Sequence, residues 1–230
     1  MNSSEKIHRG MVRQLQDWHT ALATPGQRLG WKIGFGVEAD QKRFQLPSAM
    51  IGYLSQAQRI SSNQTYQASP TSKLLVEPEV AVQIGCNLPA DASHAQANSA
   101  IIGYSAALEL VDTTRSSSGD IEAILAGNLF HEAVLLSEQL LPPGAYSRKQ
   151  LGISLYCNHE LVRTLEQDRV PDDFASLILT VARVLSEHGE QLQAGDWIIM
   201  GAAAKPVPVQ AGDEIRLDMG NLGHLALTIA

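Results

Sequence analysis

Two carboxylates stand two residues apart inside an apolar run, Val76-Glu77-Pro78-Glu79-Val80-Ala81-Val82, where packing alone gives no reason for charge. On a strand, residues i and i+2 share a face with their backbones roughly 6.6 Å apart, so Glu77 and Glu79 can converge on one cation. Like charges in that position repel. Unit charges about 4 Å apart at an effective dielectric of about 20 cost about 4 kcal/mol, so a proton or a metal must relieve the pair. Pro78 has no N–H to give a ladder, which predicts a sheet edge or rim for this segment. The plain alternative is an exposed edge strand with solvated glutamates. Glu109 repeats the anomaly within Ala106-Ala107-Leu108-Glu109-Leu110-Val111-Asp112 and offers a third oxygen from a separate strand. An all-carboxylate set without nearby His or Cys suits a hard cation, Mg²⁺ or Mn²⁺, better than zinc. Three monodentate ligands leave an octahedral ion three positions. A 2-oxo acid fills two of them with its carboxylate and keto oxygens and water fills the third, an arrangement suited to enolate chemistry. Lys32, in Gly30-Trp31-Lys32-Ile33-Gly34-Phe35, is a lone cation in an apolar strand. Once buried it needs a carboxylate or an anionic substrate beside it; otherwise it is a snorkelling edge lysine.

These groups must be held by secondary structure, and the periodicities say which. Ile7, Met11, Leu15, Trp18 and Leu22 recur at helical spacing and predict an amphipathic helix stopped by Thr24-Pro25-Gly26. Short apolar runs bounded by turn residues predict strands over 29–35, 74–84, 104–111, 133–136, 153–156, 161–165, 197–200, 214–217 and 222–229. Cys157-Asn158-His159-Glu160 reads as a hairpin turn, because Asn tolerates a positive φ. Phe174, Leu177, Ile178, Val181 and Leu185 predict a second long helix, with Pro171-Asp172-Asp173 at its start and Gly189 at its end. The Ser-, Gln- and Asn-rich stretch 55–72 reads as a surface connection. Many short strands and few helices predict an α+β fold, mainly β, built on antiparallel or mixed sheet.

Composition bounds the function. The 230 residues make one large domain or two small ones, and we read a single domain, 1–230, with a helical segment at 1–28 ahead of a β-rich body at 29–230. Seventeen Lys+Arg against 24 Asp+Glu give a net charge of −7, and the pI is near 5.4, which excludes a duplex nucleic-acid binder. With 44% hydrophobic and 18% charged residues and a mean hydropathy of −0.06, the chain can bury a sizeable core. No run approaches the roughly 20 apolar residues of a membrane span, and MNSSEKIHRGM has no apolar signal segment, so a cytoplasmic protein is expected. Cys86 and Cys157 form no Cys-x-x-Cys pattern and imply neither a disulfide framework nor a zinc site.

Taken in order, the run 30–35, the Glu77-Pro78-Glu79 strand, the strand carrying Glu109 and the block Gly195-Asp196-Trp197-Ile198-Ile199-Met200-Gly201-Ala202 resemble the fumarylacetoacetate hydrolase superfamily. The similarity is greatest to its 2-keto-4-pentenoate hydratase and 4-oxalocrotonate decarboxylase branch and is collinear from about residue 30 to 229. It implies a mixed β-sandwich roll, a homo-oligomer of two or more chains, and Mg²⁺ or Mn²⁺ held by Glu77, Glu79 and Glu109 with Lys32 in the active site. It further implies a small 2-oxo or 2-hydroxydienoic acid substrate from aromatic-ring degradation, whose enolate the metal stabilises. The chain departs from the branch at one position and in two stretches: Ser48, after Pro47, stands at a further acidic position in the loop after the lysine strand. Ala126-Gly127-Asn128-Leu129-Phe130-His131 stands where an Asp-Asn-Ala-Ser-type stretch is usual, and Gln167-Asp168-Arg169-Val170-Pro171 where a Leu-Gly-His-Pro-like stretch is usual. Asn128 is retained and is expected to bind substrate. His131 is expected to stand in as a proton donor, and Lys205 or Arg115 to bind a distal carboxylate. The expected activity is therefore that of a metal-dependent lyase, a hydratase or decarboxylase. A C–C hydrolase, an oxaloacetate-type decarboxylase or tautomerase, and a non-catalytic scaffold of the same fold remain as alternatives.

Overall fold

The computed structural model describes residues 3–24, 26–36, 38–116, 119–171 and 173–230. In chain order its helices are α1 (Ser3–Leu22), α2 (Glu38–Phe44), α3 (His94–Ala100), α4 (Ile121–Ala126) and α5 (Phe174–Glu187). Its strands are β1 (Arg28–Gly34), β2 (Met50–Ser55), β3 (Gln64–Tyr66), β4 (Leu74–Ile84), β5 (Ile101–Asp112), β6 (His131–Leu136), β7 (Ser154–Cys157), β8 (Glu160–Thr164), β9 (Trp197–Ala202), β10 (Val207–Val209), β11 (Glu214–Asp218) and β12 (His224–Ile229). A seven-stranded sheet runs β2-β1-β9-β4-β5-β6, with β10 also on β4, and a five-stranded sheet runs β3-β12-β11-β7-β8. Only β1–β9 and β3–β12 pair in parallel among the described strands, so the sheets are mixed as the sequence predicts. One apolar core contains Leu108 and Leu110 of β5, Leu217 of β11, Leu227 of β12 and Ile178 of α5.

The β4–β5 pair is the spine of the larger sheet, and nearly all of its residues are buried, which is why both strands read as near-continuous apolar runs. The edge or rim expected for Pro78 is corrected here. β4 is central, with β5 on one side and β9 followed by β10 on the other. The proline fits because it lies where one neighbour hands over to the next: β9 ends against β4 at Glu79↔Ala202, and β10 begins at Val76↔Val207. Between them the N–H of Ala203 donates to the Pro78 carbonyl at 2.8 Å. N–H and C=O of one antiparallel residue point the same way, so the missing donor faces this gap in the ladder.

α1 buries Met11, Leu15 and Trp18, the predicted stripe, and Trp18 meets Trp31 edge-on and stacks on Tyr53. Pro25 of the expected stop lies outside the described residues; Gly26, at φ 78°, follows it. The helix is clamped to α4. Gly10 brings the two backbones so close that a Cβ would fall 2.7 Å from Leu125 Cβ and 2.8 Å from the Glu122 carbonyl. Lys6 pairs with Asp120 at 2.9 Å, Arg9 and Arg13 pair with Glu122, and Gln14 Nε2 donates to the Leu125 carbonyl at the end of α4. α5 begins as expected at Asp173, whose carboxylate accepts from the N–H groups of Ala175 and Ser176; Asp172 lies outside the described residues. Asn158 and His159 take φ values of 52° and 68°, and β7 and β8 pair across them as the predicted hairpin. No helix is long and apolar enough to cross a membrane among the described residues.

Candidate metal centre

The β4–β5 register sets Glu77 directly opposite Glu109, and Glu79 follows two residues along β4. All three therefore share one face of the sheet. Their ligand oxygens lie within 4.8 Å of one another. Glu79 and Glu109 are buried, at 1% and 0% exposure, while Glu77 is half-buried. The N–H of Gly201 donates to Glu79 Oε2 at 2.8 Å, and Gly201 holds φ at +97°, a backbone state that suits glycine. The glycine of the Gly201-Ala202 pair thus turns a β9 amide toward the cluster.

The cations come from a second direction. Lys32, in the middle of β1, donates its Nζ to Glu109 Oε1 and, at 3.2 Å, to the Leu129 carbonyl. Nδ1 of the fully buried His131 is 2.7 Å from the same Glu109 oxygen. Burial, reinforced by the neighbouring charges of Glu109 and Glu77, pushes the Glu79 carboxyl well above the usual carboxylate range. Burial acts the same way on Glu109, but the Lys32 ammonium and the His131 ring outweigh it and hold that carboxyl below its ordinary value. Burial also lowers the His131 ring against the pull of Glu109. The trio thus combines an easily ionised group with one that resists ionisation for want of positive charge.

A cavity of about 730 Å³ opens beside the cluster. Lys32, Glu77 and Gly201 reach its wall, and Met200, Leu177 and Phe130 contribute to its apolar lining. This arrangement fits a hard divalent cation: all-oxygen donors, buried, with one side open to a small ligand.

Residues 24–230 match the fumarylacetoacetate (FAA) hydrolase C-terminal family. The chain belongs to that family. It is 22% identical over 203 residues to a 4-oxalocrotonate decarboxylase of Pseudomonas sp., covering 88% of this chain and 78% of that protein. It is 27% identical over 128 residues to the 2-oxo-hept-4-ene-1,7-dioate hydratase of Escherichia coli, a match spanning 52% of this chain and 48% of that protein. Among solved structures, the 4-oxalocrotonate decarboxylase of Pseudomonas putida G7, complexed with magnesium and adipate, superposes with a TM-score of 0.87 at 19% identity. That superposition covers 100% of this chain and 87% of the other, and it shows a shared fold.

Residues of both stretches, 126–131 and 167–171, border the cavity. Asn128, Leu129 and Phe130 take three consecutive positive φ values of 54°, 53° and 65°, a left-handed turn that costs about 1–3 kcal/mol per non-glycine residue. It directs the Leu129 carbonyl at Lys32 and places Leu129 and Phe130 on the cavity. The Asn128 amide, expected to bind substrate, is engaged at both ends by β2. Its Nδ2 donates to the Tyr53 carbonyl at 2.9 Å and its Oδ1 accepts from the Tyr53 N–H at 2.8 Å. His131, expected to donate a proton to substrate, is enclosed behind Glu109 and does not line the cavity. Lys205 is exposed, its backbone N–H bonded to Glu166, and it too is outside the lining; Arg115 pairs with Glu132 at 2.6 Å. Arg169, whose Nε donates to Glu166 at 3.0 Å, joins Lys32 on the cavity wall. Sequence reasoning passed over it because nothing in the composition of 167–171 says which way a loop arginine turns.

Proposed function

We propose that this chain is a divalent-metal-dependent lyase, a hydratase or decarboxylase, acting on a small 2-oxo or 2-hydroxydienoic acid. One observation carries the reading: Glu77, Glu79 and Glu109 converge beside Lys32, and Glu77 and Lys32 of this cluster reach the wall of a cavity sized for a small ligand. The relatives named as decarboxylase and hydratase support it. Glu77, Glu79 and Glu109 would hold Mg²⁺ or Mn²⁺. Bound there, the ion supplies positive charge to a 2-oxo group and so favours the enolate that hydration and decarboxylation have in common. Lys32 is fixed by the Leu129 carbonyl and Glu109 yet reaches the cavity, which suits it to pair with a substrate carboxylate or to carry a proton between substrate and Glu109. The apolar side chains of Leu177, Phe130 and Met200 limit water around the reacting carbons. Arg169, paired through Nε with Glu166, would offer its remaining guanidinium N–H groups to a ligand that is acidic at both ends. Membership of the family also leads us to propose a homo-oligomer, which light scattering tests.

Thermal melts with Mg²⁺, with oxalate or pyruvate, and with both together test the reading. At a hundredfold excess over Kd a ligand stabilises the fold by about 2.7 kcal/mol, a shift of several degrees for a chain of this size. The metal and ligand shifts are expected to add, and Glu77→Gln to abolish the metal shift. No response to either would make the chain a scaffold. A panel of 2-oxo-enoic acids, followed by dienol absorbance and by CO₂ release, then separates hydratase from decarboxylase.

A further inference from the structure

The two oxygens of Glu109 are treated unequally. Oε1 carries both buried contacts, Lys32 Nζ and His131 Nδ1, whereas Oε2 is buried without a hydrogen-bond partner among the described residues. A carboxylate only accepts, so Nδ1 of His131 is the donor, and its buried Nε2 also lacks a partner among the described residues. Leaving an ionised oxygen buried and unpaired costs more than an ordinary lost hydrogen bond. The neighbours of Glu109 on this face of the sheet are Glu77 and Glu79, whose carboxylates cannot pair with it unless one is protonated.

The backbone brings His131 to this oxygen by an irregularity in the sheet. β6 pairs with β5 in step from Ala107↔Leu136 to Leu110↔Ala133, and Val111 then pairs with His131 instead of Glu132. That one-residue bulge moves His131 from the face opposite Glu109 to the face it shares. Glu132, the extra residue, bonds outward to Tyr66 and Arg115.

We propose that His131 is a positioning residue: by holding Oε1 together with Lys32 it fixes the Glu109 carboxylate so that Oε2 alone is offered to the divalent cation. The proposal rests on the metal reading above and assigns His131 no contact with substrate. Orienting groups behind a metal ligand are commonly worth about 10- to 100-fold in metal affinity.

The test is Mn²⁺ binding to the full chain, by titration calorimetry and by the paramagnetic resonance signal of free Mn²⁺, at one fixed pH. His131→Leu is expected to weaken binding by about 10- to 100-fold. His131→Asn, which keeps a donor close to the Nδ1 position, is expected to recover most of that loss. If His131→Leu does not fold, His131→Ala, which leaves space and no donor, is read against His131→Asn in the same way. In the wild type the infrared carboxylate bands of the Mn²⁺ form should include a monodentate signature that His131→Leu alters, a change that a purely structural role would not produce. Equal Mn²⁺ affinity in wild type and His131→Leu, or no recovery in a folded His131→Asn, overturns the proposal and leaves the metal reading intact. A wild-type chain that takes up no Mn²⁺ overturns the metal reading, and the role of His131 with it.

Discussion

Glu79 shows how the site depends on a cation. It is 1% exposed, it accepts from Gly201, and it has two further carboxylates as neighbours. Its folded-state pKa lies above the unfolded value, so without metal the folded chain binds the extra proton, and this contribution to stability is fully present only below the ordinary carboxylate range. It is lost as pH rises through the raised pKa. Glu109, held low, has the opposite sign: its contribution is present above the ordinary range and is lost as pH falls through its lowered pKa. Melts in the presence of a chelator should therefore show Glu79→Gln more stable than wild type at pH 8, with the gap closing toward pH 5. The same variant should lose the Mg²⁺ shift. A Glu79→Gln protein less stable than wild type at pH 8 without metal would mean that the carboxylate is not strained by its neighbours. At this scale the sequence was informative about the glutamates and Lys32, because charge inside an apolar strand is conspicuous. It was not informative about Asn128, His131 and Arg169, whose directions depend on a left-handed turn, a bulge and a loop that no spacing rule encodes.

Among the elements, β4 is predicted and observed over the same residues, 74–84, because a strand buried on both faces reads as a near-continuous apolar run, here interrupted by Glu77, Glu79 and Gln83 and bounded by Lys73 and Gly85. The long helices are equally legible from their stripes and from Asp173 and Gly189. β2, β3 and β10 and the short helices α2, α3 and α4 are absent from the expectation: they are brief, and their stability comes from partners distant in sequence. β3, for example, lies inside the predicted connection 55–72 and exists through its parallel pairing with β12. α4 bears on the site, since it leads directly into the turn 128–130, and α1 holds it in place through the contact at Gly10. Gly10→Ala should therefore lower stability by about 1–3 kcal/mol, despite the better helix propensity of alanine, because the added methyl meets the α4 backbone. Denaturant titration checks this; a variant as stable as wild type would show that α1 can shift off α4 without loss.

Across the whole molecule, one apolar core links both sheets and α5, and the N-terminal helix, all of it outside the family match at 24–230, packs Trp18 onto β1 and β2. The site is therefore supported from both ends of the chain. Unfolding followed by the fluorescence of Trp18, Trp31 and Trp197 and by far-ultraviolet circular dichroism should give coincident transitions. Separate midpoints would mean that the helical segment and the β-rich body unfold as distinct units. The most direct measurement of the metal centre is anomalous diffraction from crystals of the full chain soaked in Mn²⁺. One strong peak is expected between Glu77, Glu79 and Glu109, with oxygen distances of about 2.0–2.3 Å. Carboxylates turned apart with no peak among them, in crystals whose soak is shown by manganese bound elsewhere, would contradict the metal reading.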